Sequence, residues 1–267
     1  MTVAETVAEN TIVARNLASA MAAYSQSSEA GEVSERVGAT LVSSGINYPV
    51  FNAAVLTEPV YADAEVDKLL AGAAEFYRAR GIGWSLWLSE DLAHPRVRAH
   101  LADEVTRYGL WHIAEHRAMM ATRLRPAQRR VAPLEVRPVF QPDTREDFAH
   151  LCTAVFGMPA DLAQRVYGRE QFWTGSFRAW VGDLDGRAVT SAAIQPAAGA
   201  VGLYSVATVT DLQRQGYGEA ITRIALRCGT GETGCHRTIL QSTPAGMPLY
   251  RKLGYRPLGR VVVFATD

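Results

Sequence analysis

One stretch of this 267-residue sequence combines residue types and spacing suited to binding a phosphate group. A β-branched segment over residues 203–209 runs into the loop 213–218 (QRQGYG), and an amphipathic helical pattern follows at once. A helix N-terminus presents unpaired N–H groups and partial positive charge, and glycines let a ligand approach that backbone closely. Strand, glycine loop and helix in this order therefore predict a phosphate or pyrophosphate site, to which Arg214 adds a cation. The alternative is a glycine-rich helix start that binds nothing.

A tyrosine lies in a second short motif near the end of the sequence. Residues 249–255 read LYRKLGY and follow a predicted strand, TILQST, and the turn 244–246 (PAG). On a short helix just beyond that strand, the phenol of Tyr250 could donate a proton to a departing thiolate. The alternative is that Tyr250 only packs its helix, which its amphipathic ring allows.

Together, in this order and separation, the two motifs resemble the GNAT superfamily of acyl-CoA N-acyltransferases. In that family a Gln/Arg-x-x-Gly-x-Gly/Ala loop binds the CoA pyrophosphate, and Gln213, Gly216 and Gly218 match it. The family often ends in a Leu-Tyr-x-Lys-Leu-Gly-Phe-like segment whose tyrosine is the general acid. Tyr250 matches that tyrosine, with Tyr255 in place of the phenylalanine. The resemblance covers about half of the chain.

The resemblance implies acetyl-CoA as the cosubstrate, no metal, and direct attack of a neutral amine on the thioester. The strand before the loop would pair its backbone with the pantetheine arm, and an N–H group near residues 206–208 would polarise the carbonyl. Tyr250 is the candidate catalytic residue. The candidate cofactor-binding residues are Val206, Ala207, Thr208, Val209, Gln213, Arg214, Gln215, Gly216, Tyr217, Gly218 and Glu219.

The general base stays unassigned at this level. Many family members carry a glutamate on the strand before the loop, whereas this strand reads VGLYSVATV and has no carboxylate. Glu170 and His150 are the nearest alternatives in the predicted early helices, but each is more typical of a solvated surface group. Relayed water is therefore the expected route for the proton of the amine.

The elements that must position these residues are predicted over residues 134–267 in the order β-α-α-β-β-β-α-β-α-β. The helix behind the glycine loop is predicted to run from Gly216 to about Cys228. The first half gives a fainter version of the same order, with helices predicted over 12–30, 63–80 and 96–108, and strands over 37–43, 50–57, 84–88 and 111–124.

The endings of the two halves correspond best and predict an internal repeat. Residues 104–124 and 249–267 both read as a short helix, a glycine turn and an apolar strand. The stretch 124–134, with two prolines and three arginines, is typical of a linker. The predicted domains are 1–128 and 134–267. The predicted fold class is α/β (an α+β mixed sheet), with two GNAT-like domains in tandem, each a mostly antiparallel sheet flanked by helices.

The first domain is predicted to be degenerate and to bind no cofactor. Residues 78–83 (RARGIG) also fit R-x-x-G-x-G, but they follow a predicted helix, so Gly81 is interpreted as its C-cap. The negative end of that helix would repel pyrophosphate. The first domain would instead wall the acceptor pocket and stand in for a dimer partner, so a monomer or a homodimer is expected. The lining candidates are Asn52, Trp84, Trp87 and Trp111, with ordinary core packing as the alternative.

Composition limits the class of protein further. Lys+Arg and Asp+Glu both number 27, so the formal net charge is zero, and nothing favours a nucleic-acid partner. The three cysteines are widely spaced, so neither a disulfide framework nor a zinc site is expected. The N-terminus lacks a signal-peptide pattern, and no apolar run reaches about 18 residues. We therefore expect a cytoplasmic protein without a membrane partner.

The leading hypothesis is an N-acetyltransferase acting on the amine of a small molecule. The zero net charge disfavours strongly charged protein substrates, but a peptide or protein N-acetyltransferase and a longer-chain acyltransferase remain as alternatives. A non-catalytic acyl-CoA-binding regulatory module is a further alternative, which the missing strand carboxylate supports and Tyr250 opposes. A nucleotide-binding enzyme is disfavoured because the loop has neither a GxxxxGK[ST] nor a GxGxxG pattern.

Overall fold

The computed structural model describes residues 2–128 and 131–267, so Arg129 and Arg130 of the predicted linker lie outside the described residues. The chain divides into two compact units. The first comprises Met1–Met119, Gln241–Met247 and Arg256–Asp267, and the second comprises Met120–Leu240 and Pro248–Tyr255. Each unit therefore contains segments from both halves of the sequence. The functional division into 1–128 and 134–267 stays a prediction.

The described residues form seven α-helices and eleven strands, besides short 3₁₀ turns. Those of the first half are α1 (Val3–Ala22), β1 (Glu32–Arg36), β2 (Ala39–Ser43), β3 (Ala53–Leu56), α2 (Asp63–Arg78), β4 (Ser85–Ser89), α3 (Pro95–Arg107) and β5 (Trp111–Ala121). Those of the second half are β6 (Glu135–Pro138), α4 (Pro142–Phe156), α5 (Ala160–Tyr167), β7 (Arg178–Leu184), β8 (Arg187–Ala197), β9 (Ala200–Thr208), α6 (Tyr217–Thr233), β10 (Thr238–Ser242), α7 (Met247–Leu253) and β11 (Arg256–Ala265).

The sheet of the first unit has the strand order β1-β2-β3-β4-β11-β5. β1, β2 and β3 are antiparallel, β3 and β4 are parallel, and β11 is antiparallel to β4. The apolar faces of α2 and α3 contribute Leu70, Tyr77 and Leu101 to a core that also takes Phe264 from β11. The C-terminal strand is therefore a structural member of the first unit.

Two elements of the first unit differ from the sequence prediction. α1 begins at Val3 rather than near residue 12, because Thr2 and Glu5 form a capping box that starts the helix early. β1 was not predicted, because its sequence does not alternate apolar and polar residues and its side chains are mostly exposed. Such a pattern is typical of a charged edge strand.

The sheet of the second unit has the order β10-β9-β8-β7-β6. β6 to β9 form an antiparallel meander, and β10 is parallel to β9. Element types and order agree with the prediction for residues 134–267. The predicted mixed α/β fold is confirmed: both sheets are mostly antiparallel and packed with helices. No helix in the part of the chain that the structure describes is long and apolar enough to cross a membrane.

α6 extends beyond its predicted end near Cys228 and continues through Gly229 and Gly231 to Thr233. The prediction stopped too early because glycine usually weakens a helix. At Gly229 a Cβ atom would lie 2.8 Å from Cγ1 of Val201, so only glycine lets the helix approach the sheet this closely. The helix ends instead at Gly234, whose φ of 67° is the left-handed C-cap conformation.

Arg137 on β6 joins the edge of the second sheet to α4. Its guanidinium contacts Asp143 and Asp147 on α4 at 2.8 and 2.6 Å, and Asp183 on β7 at 2.8 Å. Burial raises the pKa of Asp183 above its ordinary value and outweighs the opposing effect of Arg137. Among the contacts described, Arg137 is therefore the cation that compensates the negative charge of Asp183.

We expect Arg137→Met to lower the free energy of unfolding by about 2 kcal/mol at neutral pH, because it leaves a buried carboxylate uncompensated. The pKa of Asp183 is raised in the folded state, so lowering the pH neutralises this group in the native protein first. The cost should therefore shrink as the pH falls. Urea unfolding at neutral and mildly acidic pH measures it. Asp143→Asn, which changes a mostly exposed partner, is the control with little effect; a pH-independent cost for Arg137→Met would contradict the explanation.

Candidate active site

A bulge interrupts β9 where the sequence predicts the pantetheine-binding strand. Ser191 of β8 pairs with Ala207, but Ala193 pairs with Tyr204, so β9 carries one extra residue. Ser205 adopts a φ of 47°, and its carbonyl accepts a hydrogen bond from Oγ of Ser191 at 3.0 Å. A bulge leaves the extra residue outside the ladder and bends the strand. Backbone N–H groups near Val206 can therefore point to a ligand rather than to β8.

β9 also separates from its other neighbour at this level. In the part of the chain that the structure describes, the ladder between β9 and β10 joins Val201 and Gly202 to Thr238 and Ile239 and ends there. An extended ligand can add to a strand through main-chain hydrogen bonds, and the bulge of β9 beyond Gly202 is the place for it.

Hydrogen bonds within the protein already occupy backbone groups of three of the four predicted pantetheine-binding residues, 206–209. The N–H of Val209 donates to the carbonyl of Val189 at 3.0 Å. The carbonyl of Ala207 accepts from Oγ1 of Thr190 at 2.6 Å, and the carbonyl of Thr208 accepts from Nε2 of Gln213 at 3.1 Å. Val206, inside the bulge, is therefore the best placed of the four for pairing with a ligand.

The glycine loop is held in shape by its own side chains and by unusual backbone angles. Nε2 of Gln215 donates to the carbonyl of Asp211 at 3.1 Å, much as Gln213 binds Thr208. Arg214 and Gly216 have φ values of 60° and 102°, and the side chain of Arg214 is exposed. The two glutamines therefore shape the loop, so the loop backbone and the exposed side chain of Arg214 are the groups placed to meet a ligand.

Gly216 is the N-cap of α6 and offers no capping side chain. The first intrahelical bond at this end runs from the N–H of Ala220 to the carbonyl of Gly216 at 3.0 Å. The N–H groups of Tyr217, Gly218 and Glu219 precede it and have no intrahelical acceptor. The ring of Tyr217 is buried, so its backbone alone faces the site. The start of α6 thus has the geometry and the partial charge of an anion site.

Gly218 marks the place where the two predicted motifs meet. A Cβ atom built there would lie 3.3 Å from Oγ1 of Thr208 and 3.8 Å from Cδ2 of Leu249. The end of β9, the first turn of α6 and the start of α7 therefore converge on this residue. Any side chain larger than a methyl group would crowd Thr208 and Leu249 beside the first turn of α6.

Glu219 was predicted as a cofactor contact, but its side chain is engaged within the protein. Its carboxylate binds Arg223 at 2.8 Å and Lys252 at 2.9 Å. Burial opposes the charge on Glu219, yet the hydrogen bonds from Lys252 and Arg223 outweigh it and hold the pKa below its ordinary value. Only the backbone N–H of Glu219 is left for an anion. The Glu219–Arg223 pair can be recognised in the sequence from its i,i+4 spacing. The contact of Lys252 with Glu219 could not be predicted, because the two residues are far apart in the sequence.

Tyr250 lies on α7 and is 8% exposed. Its ring is 5.8 Å from that of Tyr255 in an edge-to-face arrangement. Burial raises the pKa of Tyr250 well above the ordinary value for a phenol. The group therefore keeps its proton throughout the neutral range, as a general acid for a thiolate must.

The two alternative bases lie at the surface of the second unit. Glu170 is 3.9 Å from Arg145 and its side chain is 65% exposed, and His150 pairs with Glu146 at 3.9 Å with 62% of its side chain exposed. Such positions fit solvated groups, as expected from the sequence. The general base stays unassigned.

A groove that the sequence did not reveal leads from the loop along α6. Its cavity of about 230 Å³ runs from Gly216 past Glu219 to Arg223 and Arg227. Arg227 is exposed, and Arg223 is partly occupied by Glu219. The groove is therefore positively charged next to the anion site.

The corresponding turn of the first unit, between β3 and α2, contains its own anion. Oε2 of Glu65 accepts hydrogen bonds from the N–H groups of Tyr61 and Ala62 at 2.6 and 3.1 Å. These bonds hold the pKa of Glu65 below its ordinary value. Both bonds come from residues that precede the first turn of α2, so the carboxylate caps the start of this helix. Residues 78–83 lie at the end of α2, as predicted, but the C-cap is Ala79 rather than Gly81. Gly81 follows two residues later, with a φ of 63°.

The lining candidates of the first unit fall into two groups. Asn52 is fully buried, and its amide binds Ser44, Ile46, Tyr48 and Gly83, so it organises loops. Trp84 is buried and stacks on Tyr77, as core packing predicts. The other two are less enclosed: Trp87 is half-buried and stacks on His116, and Trp111 is 53% exposed.

Comparison with known proteins agrees with this geometry. Residues 175–257 match the family model described as "Acetyltransferase (GNAT) domain". This matched range contains the bulge of β9, the glycine loop and Tyr250. No curated protein matches the chain in sequence.

Several solved structures share the fold. A GCN5-related N-acetyltransferase from Kribbella flavida is 18% identical, with a TM-score of 0.65 over 89% of this chain and 90% of that one. One from Sphaerobacter thermophilus is 15% identical, with a TM-score of 0.55 over 86% and 76%. A tandem GNAT protein from the clavulanic acid biosynthesis pathway is 15% identical, with a TM-score of 0.57 over 85% and 78%.

The fold is therefore that of tandem GNAT proteins, which confirms the resemblance predicted from the two motifs. Within it, residues 175–257 form a GNAT-type acetyltransferase domain, and the predicted enzyme class is the class of this domain. Among the described residues, no group of three or more His, Cys, Asp or Glu side chains is arranged to hold a metal ion.

Proposed function

We propose that this protein transfers an acetyl group from acetyl-CoA to the amine of a small molecule. The observation that carries the proposal is the convergence at Gly218 of the bulged strand, the helix N-terminus and the helix of Tyr250. CoA is a long molecule with a thioester at one end and a diphosphate towards the other. This site offers a strand edge, an anion site and a buried acid in one unit.

The protein residues have separate roles in the proposed reaction. N–H groups at the start of α6 bind the diphosphate, and the bulge of β9 orients the pantetheine arm. A backbone N–H near Val206 stabilises the charge that develops on the thioester oxygen as the amine attacks. Tyr250 protonates the departing thiolate. Water carries away the proton of the amine.

The groove along α6 is proposed to hold the 3′-phosphate of CoA, because Arg223 and Arg227 line it beside the diphosphate site. We expect Arg227→Gln to weaken CoA binding about tenfold, since it removes one charge-assisted contact. It should leave the affinity for dephospho-CoA, which lacks that phosphate, almost unchanged. Calorimetry with both ligands measures the difference. Arg251→Gln, an exposed arginine on α7, is the control; an equal loss for both ligands would contradict the assignment.

Titration calorimetry of the whole protein with acetyl-CoA tests the proposed function directly. We expect one site per chain, because the glycine motif of the first half, residues 78–83, lies at the end of α2 rather than at a helix N-terminus. Two sites would show that the first unit also binds cofactor. Absence of binding would overturn the proposal.

Product analysis identifies the donor and the acceptor. Mass spectrometry after incubation with mixed acyl-CoAs and a panel of amines should show an acetylated small molecule. If only a long acyl chain were transferred, the protein would be a longer-chain acyltransferase. If only peptides were modified, it would be a peptide or protein N-acetyltransferase. Binding without turnover would favour a regulatory module. A cytoplasmic location and a monomeric or homodimeric state stay predictions.

A further inference from the structure

Glu219 links the helix at the anion site to the helix that carries Tyr250. Its side chain is only 9% exposed. Oε1 accepts hydrogen bonds from Nε and Nη2 of Arg223 at 3.0 and 2.8 Å, and Oε2 accepts one from Nζ of Lys252 at 2.9 Å. Both carboxylate oxygens are therefore occupied by cations. The group is neither a free base nor a ligand for a phosphate.

The charges of this cluster suit its place beside a diphosphate. One carboxylate and two cations leave a net positive charge next to the first turn of α6. A lone carboxylate at this point would repel the ligand, but Glu219 stays paired with Arg223 even when Lys252 is removed. Glu219 can therefore tie the two helices together without weakening the anion site.

α7 depends on such ties for its orientation. It has only seven residues, too few to be stable alone. Leu249 and Lys252, three positions apart, share the face that meets the first turn of α6. Tyr250 and Leu253, also three apart, form the adjoining face, which is buried. A shift of Lys252 therefore turns the helix and displaces the phenol of Tyr250.

We propose that Glu219 and Lys252 are positioning residues that place Tyr250 for acyl transfer. The proposal rests on the proposed function, because it acts through Tyr250 as the general acid. It assigns the ion pair to the chemical step rather than to cofactor affinity.

A double-mutant cycle tests this assignment with wild type, Lys252→Met, Tyr250→Phe and the double variant. We expect Lys252→Met to lower kcat on the order of tenfold, with KM for acetyl-CoA changed by less than about twofold. In the Tyr250→Phe background the same substitution should change kcat by less than about twofold, because the acid that it positions is gone. Lys252→Arg, which keeps the cation, should restore part of kcat.

Two further variants guard against a general loss of structure. Arg251→Met removes the neighbouring, exposed cation of the same helix and should behave as wild type. Glu219→Gln removes the charge of the partner while keeping its shape, and should reproduce the kcat loss of Lys252→Met. If Lys252→Met does not fold, the cycle is run with Glu219→Gln instead.

The possible results separate the two proposals. Fully additive losses in kcat, or a raised KM for acetyl-CoA with unchanged kcat, would overturn the positioning role and leave the proposed function standing. A wild-type protein that acetylates no amine would overturn the proposed function, and the positioning role with it.

Discussion

Gly218→Asp is expected to weaken acetyl-CoA binding about a hundredfold while the protein stays folded. The new carboxylate would lie in front of the N–H groups that we assign to the diphosphate. Two like charges about 5 Å apart repel by roughly 3 kcal/mol at an effective dielectric constant of about 20, which corresponds to a loss of affinity on the order of 10²-fold. An acidic residue in the first turn also favours the helix itself.

Two matched substitutions at the same position separate charge from bulk. Gly218→Asn has the shape of the aspartate variant without its charge, and should lose clearly less affinity. Gly218→Ala requires Thr208 to yield by a few tenths of an ångström, since the new Cβ atom lies 3.3 Å from its Oγ1. Calorimetry gives the affinities, and thermal unfolding reports on the fold. Wild-type affinity in Gly218→Asp would show that the diphosphate does not bind at this loop.

Tyr250→Phe is expected to lower kcat about 10²-fold, the usual contribution of a general acid. KM for acetyl-CoA should change little, because the phenol acts only as the thiolate leaves. Since burial raises the pKa of Tyr250, the phenol stays protonated at neutral pH. It therefore should not cause a loss of wild-type activity between about pH 7 and 9. Steady-state kinetics over this range measures both effects.

Tyr255→Phe is the control for this experiment. Tyr255 is also buried, lies in ring contact with Tyr250, and occupies the position where the family pattern has phenylalanine. Its phenylalanine variant should retain most of kcat. An unaltered rate in Tyr250→Phe would mean that this tyrosine only packs α7.

Much of the site was predictable, because it depends on short-range patterns. The loop 213–218 lies between a strand and a helix in the sequence, and this local order fixes the geometry of the helix N-terminus. Gly81 was assigned to a helix end for the same reason. Tyr250 was found through its seven-residue motif.

What could not be predicted depends on contacts between distant residues. The bond from Lys252 to Glu219 joins two motifs that periodicity treats separately. The length of α6 depends on the fit of Gly229 against Val201, which no helix propensity contains. The bulge at Ser205 arises from the register between β8 and β9. A sequence pattern gives the elements, whereas register and side-chain pairing need coordinates.

The assignment of β11 to the first unit has a consequence for biosynthesis. β11 pairs Ala265 with Ser85 and lies between β4 and β5 in the sheet order. During translation, β4 emerges from the ribosome long before its partner strand has been made. The nascent first unit must therefore wait with an open sheet edge until β11 has been made. A product truncated before β11 would expose that edge, which is the kind of surface that chaperones bind and that aggregates.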